Sequence, residues 1–161
     1  MAELRLNTDK SKKMDSSEKA AVFRFQLLEL PTLQRLGFLD AGTSFVKATK
    51  FTSEGYLTRL RNRHSRMIEF KIFALDGPEL LHVKVVNTNA QESFSLVDWL
   101  KYEQRFESYA AFTLRSYSGL FPARVAGFLD YFGEAVATTG LAPLLAGGAW
   151  EHIPFDWAEM R

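Results

Sequence analysis

The chain contains no cysteine, and only three histidines occur among its 161 residues. The first absence excludes disulfide bonds, thiolate metal sites and cysteine nucleophiles, and it fits a reducing compartment. The three histidines, His64, His82 and His152, are not spaced as the ligands of a metal site. The sequence therefore predicts neither a metal site nor a cofactor.

Long apolar stretches are lacking as well. No window reaches the roughly 18 uncharged apolar residues that a membrane-spanning helix needs. Residues 1–19 mix basic and acidic side chains and lack the apolar core of a signal peptide. We therefore expect a cytoplasmic protein with no membrane partner.

Several catalytic sequence motifs are also missing. The chain has no Gly-rich phosphate loop with its Lys and Ser or Thr, no zinc-finger spacing and no Gly-x-Ser-x-Gly elbow. Proteins that bind nucleotides through a P-loop are excluded, and so are hydrolases built on a serine elbow.

The composition is that of a globular protein. Hydrophobic residues make up 47% of the chain and include 14 Phe, while charged residues make up 24%. This apolar content is ample for one packed core. We expect a mobile polar tail over residues 1–14 and a single α+β domain over residues 15–161.

Charge is distributed unevenly along the chain, although the net charge is only +1. Residues 47–71, which we call the basic segment, contain seven Lys or Arg and two acids. Residues 72–161 contain six basic and eleven acidic side chains. A basic segment of this kind favours an anionic partner, although it also occurs as ordinary solvated surface.

The start of the domain predicts a helix. Asp15 and Glu18 have the spacing of a capping box, in which each side chain accepts a backbone N–H of the first turn. Apolar residues at helical spacing over residues 18–30 favour the helix, although part of the segment also alternates as a strand would.

A second helix should follow at once. Pro31 suits the first turn of a helix over residues 32–41, which Gly42 would end. From Thr43 to Phe51, β-branched and aromatic residues predict a strand instead.

The clearest pattern is a β-hairpin over residues 67–87. Its two halves alternate apolar and polar residues, and Asp76-Gly77-Pro78 supplies turn chemistry between them. The alternation predicts an antiparallel pair with one face in solvent. The preceding residues 53–63 fit either a strand or a helix, and both interpretations expose their arginines.

The last part of the chain predicts two long helices. A capping box at Ser95 and Asp98 begins a helix over residues 96–117, and a second helix covers residues 122–138 before Gly140. The complete prediction is an α+β fold. A small antiparallel sheet of three to four strands packs against these two helices, and a helix pair lies at the N-terminus.

The basic segment and the hairpin together predict one positively charged face of the sheet. Basic side chains displace counterions from phosphates, and aromatic rings among them can stack on bases. The preferred hypothesis is a non-catalytic binding or regulatory protein that engages nucleic acid or an acidic protein through this face. The residues expected to bind are Lys47, Lys50, Tyr56, Arg59, Arg61, Arg63, Arg66, Lys71 and Lys84.

A second hypothesis is enzymatic. Glu69-Phe70-Lys71 is a Glu-x-Lys triplet on a predicted strand, and it resembles the second half of the PD-(D/E)xK nuclease motif. The resemblance covers three residues. It implies that Glu69 shares a divalent ion with an upstream acid while Lys71 steadies the attacking water. The acids available upstream, Glu54 and Asp40, do not have the position that the motif requires, and a cross-strand ion pair is the simpler role for Glu69.

A third hypothesis places the function in the aromatic C-terminal segment, residues 148–161. Trp150, Phe155 and Trp157 carry large apolar areas that favour burial against the domain or against a partner. An adaptor or inhibitor would dock through them. The basic segment and the acidic helices further predict a homo-oligomer formed through complementary charge.

Overall fold

One antiparallel sheet organises the chain, and the α+β class is confirmed. The computed structural model describes residues 14–50, 54–73, 79–103 and 108–149. The strands are β1 Leu39–Val46, β2 Gly55–Arg61, β3 Arg66–Phe73, β4 Leu80–Asn87 and β5 Glu92–Ser95. Their order in the sheet is β1-β2-β3-β4-β5, the same as in the sequence. The sheet thus has five strands rather than three to four.

The helices pack on one face of this sheet. The ring of Phe70, on the central strand β3, lies 5.8 Å from the ring of Phe23 and 5.2 Å from that of Phe132. These residues lie in a single hydrophobic core. The helices are α1 Ser16–Leu28, α2 Pro31–Arg35, α3 Leu96–Tyr102, α4 Ser108–Ala111, α5 Phe121–Thr138 and α6 Leu141–Leu145, with a 3₁₀ turn at Leu114–Ser116.

The other face of the sheet, which we call the open face, carries the polar side chains of the predicted hairpin. Along β3, Ile68 and Phe70 are buried while Glu69 and Lys71 are only half-buried. Strand β4 pairs with β3 so that Lys71 lies opposite His82. The predicted pairing and alternation over residues 67–87 are therefore confirmed, while its turn residues lie outside the described part of the chain.

The capping box at the start of α1 is present. The Asp15 carboxylate accepts the Glu18 N–H at 2.8 Å, and the Glu18 carboxylate accepts the Asp15 N–H at 2.9 Å. The helical interpretation of residues 18–30 is confirmed, because the apolar side chains at helical spacing reach the core. Residues 55–61 form β2, so the strand interpretation holds for that segment.

The prediction that the second helix reaches residue 41 is wrong. Helix α2 ends at Arg35, because Gly37 adopts a positive φ of 78° and its N–H bonds back to the Gln34 carbonyl at 3.0 Å. The chain then enters β1 at Leu39, four residues before the predicted strand. Gly42, with φ of 115°, lies where the β1–β2 register shifts.

The prediction of one long helix over residues 96–117 is also wrong. The N-cap at Ser95 is confirmed, since its hydroxyl accepts the Asp98 N–H at 3.1 Å. Helix α3 nevertheless ends at Tyr102. Farther on, the backbone joins the sheet: the Leu81 N–H bonds to the Phe112 carbonyl at 2.9 Å, and Thr113 forms an antiparallel bridge with Leu80. The short helix α4, this extended bridge and the 3₁₀ turn replace the end of the predicted helix.

The second long helix is confirmed by α5, whose apolar stripe is buried as predicted and which is followed by Gly140 at a φ of 77°. Strand β5 and helix α6 are not predicted, because each is only four or five residues long. No helix in the described ranges is long and apolar enough to cross a membrane.

Gly55 lies in close contact with the neighbouring strand and provides a test of the sheet packing. A Cβ added there would overlap the Ile72 carbonyl oxygen and lie 3.0 Å from the Phe73 Cα. Because both atoms belong to the backbone of β3, they cannot move aside without disturbing the strand pairing. We expect Gly55→Ala to lower the free energy of unfolding by about 2 to 3 kcal/mol. Urea denaturation would measure this, and an unchanged midpoint and slope would contradict the close strand contact.

Candidate anion-binding site

The turn between β2 and β3 is held by Asn62, a buried side chain whose hydrogen-bonding groups are all engaged. Its amide nitrogen donates to the carbonyls of Leu36 at 3.1 Å and Leu145 at 2.9 Å. Its amide oxygen accepts the N–H of His64 at 3.0 Å and that of Arg66 at 3.3 Å. One side chain thereby joins the α2–β1 connection, the β2–β3 turn and the end of α6.

Arg66 reinforces this junction and does not lie on the open face. Its side chain is buried, and its guanidinium donates to the carbonyls of Leu144 at 2.9 Å, Gly148 at 2.7 Å and His64 at 3.3 Å. Burial lowers the pKa of Arg66, although an arginine remains protonated at neutral pH. The positive charge of Arg66 therefore binds carbonyls at the end of α6.

The three segments joined by Asn62 border an open cleft of about 630 Å³, which we call the basic cleft. Arg35 comes from the end of α2, while Arg61 and Arg63 come from the end of β2 and the turn. All three arginines are exposed. The remaining lining residues are Leu36, Gly37, Leu39, Asp40, Ala41, Asn62, His64 and Ala146.

The electrostatics of the basic cleft favour an anion. None of the salt bridges within the described residues involves Arg35, Arg61 or Arg63. Asp40 is the carboxylate of the lining, and it accepts the Gly42 N–H at 2.9 Å and a hydrogen bond from the Arg24 guanidinium, also at 2.9 Å. The hydrogen bond from the Gly42 N–H has the largest effect on the pKa of Asp40 and lowers it. Burial has a smaller, opposite effect, and Arg24 lowers the pKa further. Its negative charge is therefore compensated locally.

The open face continues the basic surface away from the cleft. Arg59 and Arg61 are both on the open-face side of β2, and the Arg59 Nε lies 2.9 Å from a Glu69 carboxylate oxygen. The Lys84 Nζ lies 3.6 Å from the other oxygen of the same carboxylate. One carboxylate thus faces two cations, so the group formed by Arg59, Glu69 and Lys84 keeps a net positive charge. Lys71 lies beside it, with its Nζ 5.6 Å from the centre of the Phe73 ring.

His82 lies next to these charged side chains, opposite Lys71 on the open face. Partial burial, followed by the charges of Lys84 and Lys71, lowers the pKa of His82. The imidazole is accordingly neutral at pH 7 and adds no positive charge to the surface.

Tyr56, which the sequence predicts to bind together with the arginines, lies on the other side of β2 from Arg59 and Arg61. Its side chain is on the helix side of β2, where its ring meets that of Phe45 edge to face at 5.3 Å. Its hydroxyl lies 3.3 Å from the Ser17 hydroxyl. Lys47 and Lys50 are exposed beyond the end of β1. The predicted docking residues Trp150, Phe155 and Trp157 lie outside the described part of the chain.

The acids named in the nuclease hypothesis are not brought together. Glu69 is on the open face in its ion pairs, whereas Asp40 is bonded to Arg24 of α1 and Glu54 accepts a hydrogen bond from Ser16 at 3.1 Å. Since α1 packs on the opposite face, these acids lie across the sheet from Glu69. No group of three or more metal-ligating side chains occurs in the described ranges. The contacts of Glu69 are those of a cross-strand ion pair.

Sequence reasoning misses Arg35, Asn62 and the apolar lining residues Leu36 and Leu39. Arg35 appears in the sequence as one residue of a predicted surface helix, and nothing local places it beside the β2–β3 turn. Asn62 stands between Arg61 and Arg63, and the turn preference of asparagine is the signal that could have identified it. Its contacts with Leu36 and Leu145 depend on the tertiary fold.

The basis for assigning a function is the geometry of the site. Comparisons with protein-family models, with curated proteins and with solved structures found no match to this chain.

Asn62 provides a test of how the cleft is built. We expect Asn62→Ala to lower the free energy of unfolding by about 2 to 3 kcal/mol, because two carbonyls and two N–H groups lose a buried partner and only some can bond water in the cleft. Thermal and urea denaturation would measure the change. Asn89→Ala is the matched control, since Asn89 is exposed in the β4–β5 turn. Equal stability of the two variants would contradict the structural role of Asn62.

Proposed function

We propose that this protein binds single-stranded nucleic acid through the basic cleft and the adjoining open face, and that it does so without catalysing a reaction. The observation that carries the proposal is the grouping of Arg35, Arg61 and Arg63 around one cleft, with no ion-pair partner among the described residues. The open face would supply further phosphate contacts.

The position of the arginines supports an anionic ligand over plain solvated surface. Like charges that line one cleft repel each other, and a bound anion would relieve that repulsion. Arginine also suits phosphate chemically, because its planar guanidinium donates two parallel hydrogen bonds to a pair of oxygens. A cleft with uncompensated arginines is therefore better suited to bind phosphate than the lysines scattered beyond β1.

The dimensions of the site favour a single strand over a duplex. A cleft of about 630 Å³ is of the size that takes a small ligand. A nucleotide of a flexible strand can enter it, whereas the stacked bases of a duplex cannot. The apolar side chains of Leu36 and Leu39 beside the arginines offer a surface against which one base can pack.

Fluorescence anisotropy with a labelled single strand of about 20 nucleotides tests the proposal. We expect the single strand to bind more tightly than a duplex of the same sequence, and more tightly than a polyglutamate peptide of equal charge. The peptide represents the acidic-protein partner, since it offers carboxylates to the same arginines. Tighter binding of the peptide, or no binding of either nucleic acid, would overturn the proposal.

A further inference from the structure

We infer that the basic cleft recognises a phosphate monoester attached to a base-bearing sugar, either at the end of a nucleic-acid strand or in a free mononucleotide. The inference rests on the proposed function for the strand end but stands on the cleft alone for the free nucleotide. It assigns the cleft a role distinct from that of the open face, which would bind the internal phosphates of a strand.

The number of arginines favours a monoester over a diester. An internal phosphodiester carries one negative charge, whereas a terminal phosphate carries between about −1.5 and −2 at pH 7. Arg35, Arg61 and Arg63 reach the cleft from two separate segments, and Asp40 is already bonded to Arg24 and the Gly42 N–H. Three uncompensated guanidinium groups match a dianion better than a single charge.

The apolar part of the lining accounts for the base. Leu39 is 72% exposed, although it belongs to a strand, and it faces the cleft together with Leu36. Together the two leucines give the lining an apolar part that a planar base could cover while its phosphate lies against the guanidinium groups. The lining thus has one part for the charge and one for the ring.

The walls of the cleft are fixed before any ligand arrives. Asn62 bonds to the carbonyl of Leu36, which lines the cleft, and to that of Leu145, which precedes the lining residue Ala146. Arg66 binds the carbonyls at the end of α6. Because these bonds are made within the protein, the backbone of the cleft needs little ordering when a ligand binds, and the ordering cost falls on the exposed arginine side chains. A preformed cleft of nucleotide size is what selective recognition of a terminal group requires.

Competition binding tests the inference with defined probes. We expect a single strand carrying a 5′- or 3′-terminal phosphate to bind about tenfold more tightly than the same strand without it, which corresponds to about 1.4 kcal/mol. Free adenosine monophosphate should displace the phosphorylated strand, while adenosine should not. In Arg35→Gln the ratio between the two strands should fall to about 1, while Arg115→Gln should keep it. Circular dichroism of both variants would verify folding.

The outcomes separate this inference from the proposed function. If both strands bind equally well and the monophosphate does not compete, the terminal-phosphate inference fails while strand binding stands. If the monophosphate binds and no strand does, the proposed function fails and the cleft takes a free nucleotide. If inorganic phosphate competes as well as the monophosphate, the cleft holds an adventitious ion only, and the inference is overturned. If no probe binds, both are overturned.

Discussion

Reversing the charge of both Arg61 and Arg63 to glutamate is expected to weaken the binding of a single strand by about 100-fold or more at roughly 0.1 M salt. The double variant removes two positive charges from the basic cleft and places two negative charges beside the bound phosphates. Neither side chain makes a salt bridge within the described residues, and both are exposed, so the fold should be unaffected. Anisotropy titration would measure the loss.

The matched control for this variant is Arg115→Glu. Arg115 is exposed and lies in the 3₁₀ turn. The preceding Thr113 bridges Leu80 at the start of β4, whereas Arg66 at the β2–β3 turn pairs with Asn87 at the other end of β4. The control therefore changes charge at the opposite end of the strands. If Arg115→Glu weakened binding per charge as much as the double variant, attraction would be a property of total charge and not of the cleft.

Replacing Glu79 with glutamine is expected to lower the free energy of unfolding by about 3 to 5 kcal/mol. Its side chain is 3% exposed, and its two oxygens bind the Lys19 Nζ at 2.6 Å and the Arg124 Nη1 at 2.9 Å. Both cations also lie over the ring of Phe121, at 5.5 and 5.7 Å from its centre. A neutral amide would leave two partly buried positive charges without a counter-charge. An uncompensated buried charge is strongly destabilising.

The Glu79 carboxylate should also make the free energy of unfolding depend on pH in the acidic range. Burial alone would raise the pKa of Glu79, but the hydrogen bonds from Lys19, from the backbone of Glu79 itself and from Arg124 lower it below the usual 4.5. A carboxyl group whose pKa is lower in the folded state contributes its full stabilisation above pH 4.5, and this contribution is lost as the pH falls through the folded-state pKa. The loss should be smaller in Glu79→Gln.

Urea denaturation at pH 7 and at pH values below 4.5 would measure both effects. Glu92→Gln is the control, because Glu92 is exposed at the start of β5. If Glu79→Gln were as stable as Glu92→Gln at pH 7, the ion pairs of Glu79 with Lys19 and Arg124 would not stabilise the fold. An identical pH dependence of the wild type and Glu79→Gln would contradict the lowered pKa.

Local sequence signals predict those elements of the fold whose ends are fixed by short-range contacts. The capping box at Asp15 identifies α1, and alternation identifies the β3–β4 hairpin, since one face of each strand is buried. The predictions fail where contacts with residues distant in the sequence determine the local structure. The Phe112 carbonyl bonds to the Leu81 N–H, so the chain becomes extended where helical spacing predicts a continuous helix.

The same distinction applies to the site. Arg61 and Arg63 are predicted from the density of charge, and the structure places them together in the basic cleft. Charge density does not separate them from Arg66, because the carbonyls that bind Arg66 belong to residues 144 and 148, about 80 positions away in the sequence. Arg35 joins the cleft only because Gly37 ends α2 and turns the chain beside β2.

The dependence of single-strand affinity on salt concentration tests the central claim most directly. Each phosphate neutralised on a single strand contributes about −0.7 to the slope of log affinity against log salt. With one phosphate in the cleft and two or more neutralised by the cations of the open face, the wild type should give a slope of about −2 or steeper. The Arg61→Glu/Arg63→Glu variant should give a clearly shallower slope. A wild-type affinity that does not change with salt, or a slope that the double variant leaves intact, would contradict phosphate binding at the basic cleft.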